Sequence, residues 1–197
     1  EETGRSPPLP DDYPYYVLVE ALGGDAQRDQ AHFETVLMQA LNAGQVADAV
    51  IAGSGRERDA LWALRDDVEQ TNTQGPSITF DVSLRIADME AYLEQVQKNL
   101  DTAHAGNRTW VFGHLGDGNL HIVVTTRDEL PQTRDVVERA VYKPLQAIGG
   151  SVSAEHGIGL EKKPWLHLSR SAAEIDLLKQ LKATLDPRGI LNPGKVI

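Results

Sequence analysis

The 197-residue sequence contains no cysteine. That excludes disulfides, thiolate zinc sites and cysteine nucleophiles, so any metal must sit among imidazole and carboxylate ligands. Long apolar runs are also missing, and none approaches the length of a membrane span. The opening residues, EETGRSPPLPDDYP, are polar and proline-rich rather than signal-like, so a cytoplasmic location is the default expectation. Basic residues are outnumbered, 19 Lys and Arg against 29 Asp and Glu, for a formal net charge of −10. Such a surface lacks the basic patch of a nucleic-acid binder. It does not exclude an anionic substrate, because a local cluster of arginine, metal and imidazole outweighs a distant, salt-screened net charge.

What is present is ordinary globular material: 41% of the residues are hydrophobic, enough for a core without staples. Tyr15 to Leu22, β-branched and aromatic and closed by Gly23-Gly24, reads as a strand. Phe33, Val36, Leu37, Ala40 and Leu41 fall at helical spacing within 28–42, and Val46 to Ala52 reads as a second strand. Ser54 can cap a helix over 55–69 whose stripe uses Leu61, Leu64 and Val68. A strand at Ser77 to Leu84, a helix at Ala87 to His104, two strands within Trp110 to Thr126 and a helix at Pro131 to Ile148 follow. Met89 and the aromatics read as core. This order predicts an α+β fold, a ferredoxin-like antiparallel sheet covered by helices. After Gly149-Gly150 come a small, glycine-rich stretch, a helix at Ser171 to Leu185 and a turn-rich tail that must dock on something. Residues 1–150 are therefore expected to form the substrate-side domain and 151–197 a C-terminal docking segment.

The chemistry concentrates in two motifs. In His114-Leu-Gly-Asp-Gly-Asn-Leu-His121, Asp117-Gly118 signals a two-residue hairpin. With those two residues in the turn, 114 opposes 121 and both imidazoles share one face. Two histidines alone make an incomplete site, and two surface histidines beside an ordinary hairpin is an equal reading. Ser153-Ala-Glu155-His156-Gly157-Ile-Gly159 supplies a carboxylate and an imidazole among small residues that let a ligand approach. Two histidines and one carboxylate suit zinc, manganese or iron with open positions left over, and the remaining histidine is free to act as a base. Arg65, on a helix side shared with Leu61 and Trp62, offers a guanidinium that can grip a carboxylate, although helix-surface arginines are usually just solvated. Gly53-Ser54-Gly55 lacks the full dinucleotide spacing and reads as a capped helix start. His32, His104 and His167 carry no assigned chemistry.

Five segments in order resemble the C-terminal domain of FAD-linked oxidases, the group holding D-lactate dehydrogenases, glycolate oxidase subunits and D-2-hydroxyglutarate dehydrogenases. They are Leu61-Trp-Ala-Leu-Arg65, Asp81-Val-Ser, the His114 to His121 motif, Ser153 to Gly159, and Asp186-Pro-Arg-Gly-Ile-Leu-Asn-Pro-Gly-Lys195. The resemblance implies a part of an FAD-dependent 2-hydroxyacid dehydrogenase, oxidising a D-2-hydroxy acid by hydride transfer to flavin. It implies that His114, His121 and Glu155 ligate a divalent metal, that Arg65 and Asn119 bind substrate and that His156 is the catalytic base. Asn192 is expected to return to the flavin. FAD itself would be held mainly by an N-terminal domain that precedes this region in the family, so the chain alone is expected to be inactive, and a homodimer is among the expected assemblies.

Departures bear on substrate choice. Thr79 and Glu69 stand where the family often has a lysine and a threonine, which weakens the expected anion clamp, and Val123 stands where the hydroxyglutarate branch tends to have asparagine. Two other readings compete: a metal-dependent hydrolase in which the His-His-Glu site activates water, and a non-catalytic ligand-binding module.

Overall fold

A computed structural model describes residues 8–10, 12–67 and 75–197. The chain divides into two compact units, Glu1–Gln70 and Thr71–Ile197.

The first unit holds two helices, α1 (Ala26–Asn42) and α2 (Gly55–Asp66). Each begins at a side-chain cap that satisfies an otherwise orphaned N–H: Asp25 accepts from Arg28 and Ser54 accepts from Glu57. Neither helix contains a buried residue. The two strands expected at Tyr15–Leu22 and Val46–Ala52 are instead irregular. A strand exists only when a neighbour completes its hydrogen-bond ladder, and among the described residues neither segment has one. Tyr15, Tyr16, Val17 and Val19 stay exposed as a result, so these tyrosines are not core. Val68 and Glu69 lie outside the described residues.

The second unit carries the core. Strands β1 (Ser77–Ser83), β2 (Thr109–His114) and β3 (Asn119–Thr125) form an antiparallel sheet in the order β1-β3-β2. Helix α3 (Met89–Ala103) connects β1 to β2, and α4 (Pro131–Ile148) follows β3. This is the split β-α-β pattern of a ferredoxin-like sheet, and the fold is α+β. A fourth strand survives only as an antiparallel bridge between Ser83 and Ser151 on the free edge of β1.

Alternation decides the faces. Ile78, Phe80 and Val82 of β1 join Leu120, Ile122 and Val124 of β3 in one buried cluster. Over them pack Tyr92, Val96 and Leu100 from α3 and Val137, Val141 and Leu145 from α4. The helices dock to each other through the Tyr92 hydroxyl, which donates to the Val141 carbonyl at 3.0 Å. The opposite face, with Thr79, Asp81, Asn119 and His121, is left to the segment after α4. That segment runs through Ser153–Gly159 to α5 (Ala172–Leu185), which starts at a reciprocal Ser171–Glu174 capping box.

Candidate active site

Each strand places one or more polar side chains on the face away from the helices. On β3 these are Asn119 and His121; on β2, His114, with the apolar Phe112 on the same face; on β1, Asp81 and Ser83, because directly opposed residues share a face. The β2–β3 hairpin does not turn on two residues. Leu115–Asp117 form a short 3-10 turn closed by Gly118, so His114 opposes Asn119 and His121 opposes Phe112. The pairing expected between 114 and 121 is thus displaced by two residues. The cause is the left-handed Gly118 at φ 74°, together with the Asn119 N–H donating to Asp117 Oδ1 at 3.0 Å. Gly118 also presses on the chain before α3, where a Cβ would meet the Leu84 carbonyl oxygen at 2.3 Å. A displacement of two preserves the face, so the two imidazoles still meet, edge to face, with centroids 5.6 Å apart.

The loop after α4 brings the other half. His121 Nε2 lies 3.5 Å from Glu155 Oε1, and ligating atoms of His114, His121 and Glu155 all fall within 4.8 Å of one another. The His156 ring stacks on His121 with centroids 5.8 Å apart, and its Nε2 is 3.7 Å from Glu155 Oε1. His121 is buried, against Phe112 on one side, whereas His156 is largely exposed and reachable. Burial is the main reason that the His121 pKa falls below its ordinary value, while the Asp81 and Glu155 carboxylates pull it the other way. The neutral imidazole favoured by burial is the form that donates a lone pair to a metal.

The loop is tied down by a residue to which sequence reasoning gave no role. Asp81 is 2% exposed, and its Oδ2 accepts the N–H groups of Ala154, Glu155 and His156 at 3.2, 3.2 and 3.0 Å. Lys162 Nζ reaches the same oxygen at 3.0 Å and the Ser153 hydroxyl at 2.9 Å. Burial alone would raise the Asp81 pKa, but the His156 N–H, the Lys162 ammonium and the Glu155 N–H hold it at about 2. The signal was in the sequence: an aspartate between Phe80 and Val82 is out of place in a strand unless something receives its charge.

Beside the histidines is a small pocket lined by Ser83, Asp117, Asn119, Ala154 and Glu155. Asn119 is 2% exposed, and its Oδ1 is a buried acceptor without a hydrogen-bond partner. A second pocket of about 300 Å³ is lined by Thr79, His156, Gly157 and Lys162 among others. Of the expected site residues, His114, His121, Glu155, His156 and Asn119 are brought together in the second unit. Arg65 lies on α2 in the first unit, with its guanidinium 3.3 Å from Asp66. Asn192 sits in the tail at a left-handed φ of 45°, and its carbonyl accepts the Lys195 N–H.

Two nitrogen donors and one carboxylate converge from a hairpin and a glycine-flanked loop, a set of groups whose chemistry fits a divalent metal ion. Residues 1–196 match the family described as FAD linked oxidases, C-terminal domain. The chain belongs to that family. Among similar proteins, the D-2-hydroxyglutarate dehydrogenase of Xanthomonas citri pv. viticola is 40% identical over 201 residues, covering 98% of this chain and 42% of its own length. The mitochondrial D-2-hydroxyglutarate dehydrogenase of Rattus norvegicus is 38% identical over 185 residues, 93% of this chain and 34% of its own. A D-2-hydroxyglutarate–pyruvate transhydrogenase of Saccharomyces cerevisiae is 33% identical over 198 residues, 96% of this chain and 40% of its own. The FAD-oxidase C-terminal chain thus spans between 34% and 42% of the length of these relatives. No helix among the described residues is long and apolar enough to cross a membrane.

Proposed function

We propose that this chain is the substrate- and metal-binding part of an FAD-dependent dehydrogenase that oxidises a D-2-hydroxy acid to the 2-oxo acid. The observation that carries the reading is the convergence of His114, His121 and Glu155 beside an exposed His156. His114, His121 and Glu155 would hold a zinc, manganese or iron ion, which when bound supplies positive charge to the substrate's carboxylate and hydroxyl oxygens. His156 would take the hydroxyl proton, and flavin, when bound, would supply the acceptor for the α-hydrogen and its electron pair. Asn119, whose buried Oδ1 has no donor and lines the pocket beside Glu155, is assigned to substrate binding. Arg65 is assigned to the substrate carboxylate.

The relatives named for D-2-hydroxyglutarate make a five-carbon diacid the first substrate to try, although Thr79 and Val123 give the distal carboxylate no cation of their own. The FAD-binding partner domain belongs to the same reading. Leu177, Leu181 and Leu185 recur every fourth residue along α5, and with Ile190 and Leu191 they expose an apolar stripe suited to that domain, with Asn192 next to it. The C-terminal segment 151–197 would then bridge the substrate side and the flavin side. A cytoplasmic location and a homodimer complete the proposal. Family membership counts against a flavin-free hydrolase or a non-catalytic module.

The test uses the intact, FAD-loaded protein. Metal content is measured by mass spectrometry in wild type and His114→Ala, and flavin bleaching is followed anaerobically with D-2-hydroxyglutarate, D-lactate, glycolate and the L isomers. Near-stoichiometric metal lost in the variant, with bleaching by a D acid alone, is expected. No metal in either protein, or ester hydrolysis without flavin reduction, overturns the reading.

A further inference from the structure

We propose that Asp81 is the positioning residue of this site, holding Glu155 and His156 over the sheet through three consecutive main-chain N–H groups. The inference rests on the functional reading above for what Glu155 and His156 do, but not for how they are held.

The geometry is unusual for a loop. Ser153–Gly159 is rich in glycine and small residues, carries left-handed Gly157 and Gly159, and forms no strand, the nearest ladder contact with β1 being the bridge at Ser151 that precedes it. Left to itself such a segment samples many backbone states, each of which would move Glu155 and His156 away from His121. Asp81 removes that freedom from below. It sits in mid-β1 directly opposite His121 of β3, so the residue that anchors the loop and the histidine that the loop must reach share adjacent strands of one rigid sheet. Its Oδ2 receives the N–H groups of Ala154, Glu155 and His156, and the Asp81 carbonyl takes a further bond from the Ala154 N–H at 3.2 Å. Three successive N–H groups turned toward one carboxylate fix the φ and ψ angles of those residues, and with them the directions in which Glu155 and His156 project. The His156 ring itself makes no hydrogen bond to Asp81, its Nδ1 lying 3.9 Å from the same oxygen, so the anchor acts through the main chain.

Lys162 and Ser153 complete the arrangement. The Lys162 ammonium balances the buried negative charge from the far end of the loop, and the Ser153 hydroxyl lies within reach of Asp81, Lys162 and the Gly157 carbonyl. The loop is therefore pinned at both ends to one atom of the sheet. Groups that orient metal ligands and bases in this way typically account for about 10- to 100-fold in metal affinity or activity.

The decisive variant is Asp81→Asn in the intact, FAD-loaded protein, which keeps the volume but presents an amide to three donors. Amide exchange is expected to lose protection at Ala154, Glu155 and His156. Metal affinity or the rate of flavin reduction is expected to fall about 10- to 100-fold, with a smaller change in KM. A variant that keeps the loop protected, or that melts earlier yet reduces flavin at the wild-type rate per folded molecule, overturns the proposal. If Asp81→Asn does not fold, Lys162→Gln removes the counter-charge while leaving every main-chain bond to Asp81. It must then show a graded loss at the same three amides, and unchanged protection and rate sink the idea. Exchange and metal readouts need no turnover, so a wild type with a protected, metal-loaded loop and no hydroxyacid oxidation would overturn the functional reading alone.

Discussion

The two faces of the three-stranded sheet are made by the same strands and buried by opposite means. On the helix face, Phe80, Val82, Ile122 and Val124 exclude water by apolar contact with α3 and α4. On the other face Asp81, Asn119 and His121 are nearly as inaccessible, but what closes over them is a polar loop that bonds back to the strand. Val123 lies on that face too, buried yet outside the apolar cluster. Apolar burial is non-directional and tolerates small shifts of packing. Polar burial is not tolerant, since each buried donor or acceptor that loses its partner costs about 1–3 kcal/mol. One face sets how stable the unit is, and the other sets where a few atoms sit.

The comparison breaks most visibly at Phe80. The ring is 1% exposed and makes an edge contact with Tyr142 at 5.2 Å between centroids. Phe80→Ala is expected to destabilise the second unit by about 3–5 kcal/mol in a denaturant titration. Metal affinity of the molecules that remain folded should be unchanged, because the neighbouring residues Thr79 and Asp81 point the other way. A large loss of metal affinity without loss of stability would show that the faces are not separable. A smaller effect is expected from the site face when metal is stripped with a chelator. A ligand that binds only the native state stabilises by about 2.7 kcal/mol at a free concentration about 100-fold above its Kd. Chelation should lower the melting temperature of wild type accordingly and leave that of His121→Ala unmoved. Equal shifts in both proteins would place the metal elsewhere.

The division also explains what the sequence made legible. Helices α3 and α4 and strands β1 and β3 lie close to where periodicity puts them, because each buries its own apolar stripe within the unit, while β2, which buries no residue, is held by its pairing with β3. The segments at 15–22 and 46–52 carry equally strong strand composition and form none, since composition cannot supply a pairing partner. At the site, the residue types were legible in two short motifs. The hairpin register was not, because the Asn119 N–H bond to Asp117 and the strain-free left-handed glycine add two residues to the turn. His114 and His121 survived that error only because strand faces repeat every second residue. Asp81 was visible as a motif residue, but its role depends on a loop about seventy positions away, and no local pattern reports that contact.

The smallest expected effect separates anchoring from chemistry. Asp186 repeats the Asp81 device at the end of α5: it is 7% exposed, accepts the Ile190 and Leu191 N–H groups at 2.9 Å each, and pairs with Lys182. Its pKa is held down at about 2 from an ordinary 3.8, chiefly by the Lys182 hydrogen bond and then by the Leu191 N–H, against a burial effect in the opposite sense. A depressed carboxylate stabilises only where it stays ionised. The contribution is therefore full above the ordinary value and is lost as pH falls from 3.8 through about 2. Amide exchange at Ile190 and Leu191 should accelerate over that window beyond its intrinsic pH dependence, and Asp186→Asn should show the fast rate already at neutral pH. Protection at Ala154 to His156 should not follow in the variant, because those amides answer to Asp81. If both sets loosen together, tail and loop form one cooperative unit, coupled through the Val196 N–H bond to the Gly159 carbonyl. The site would then be held from two aspartates rather than one.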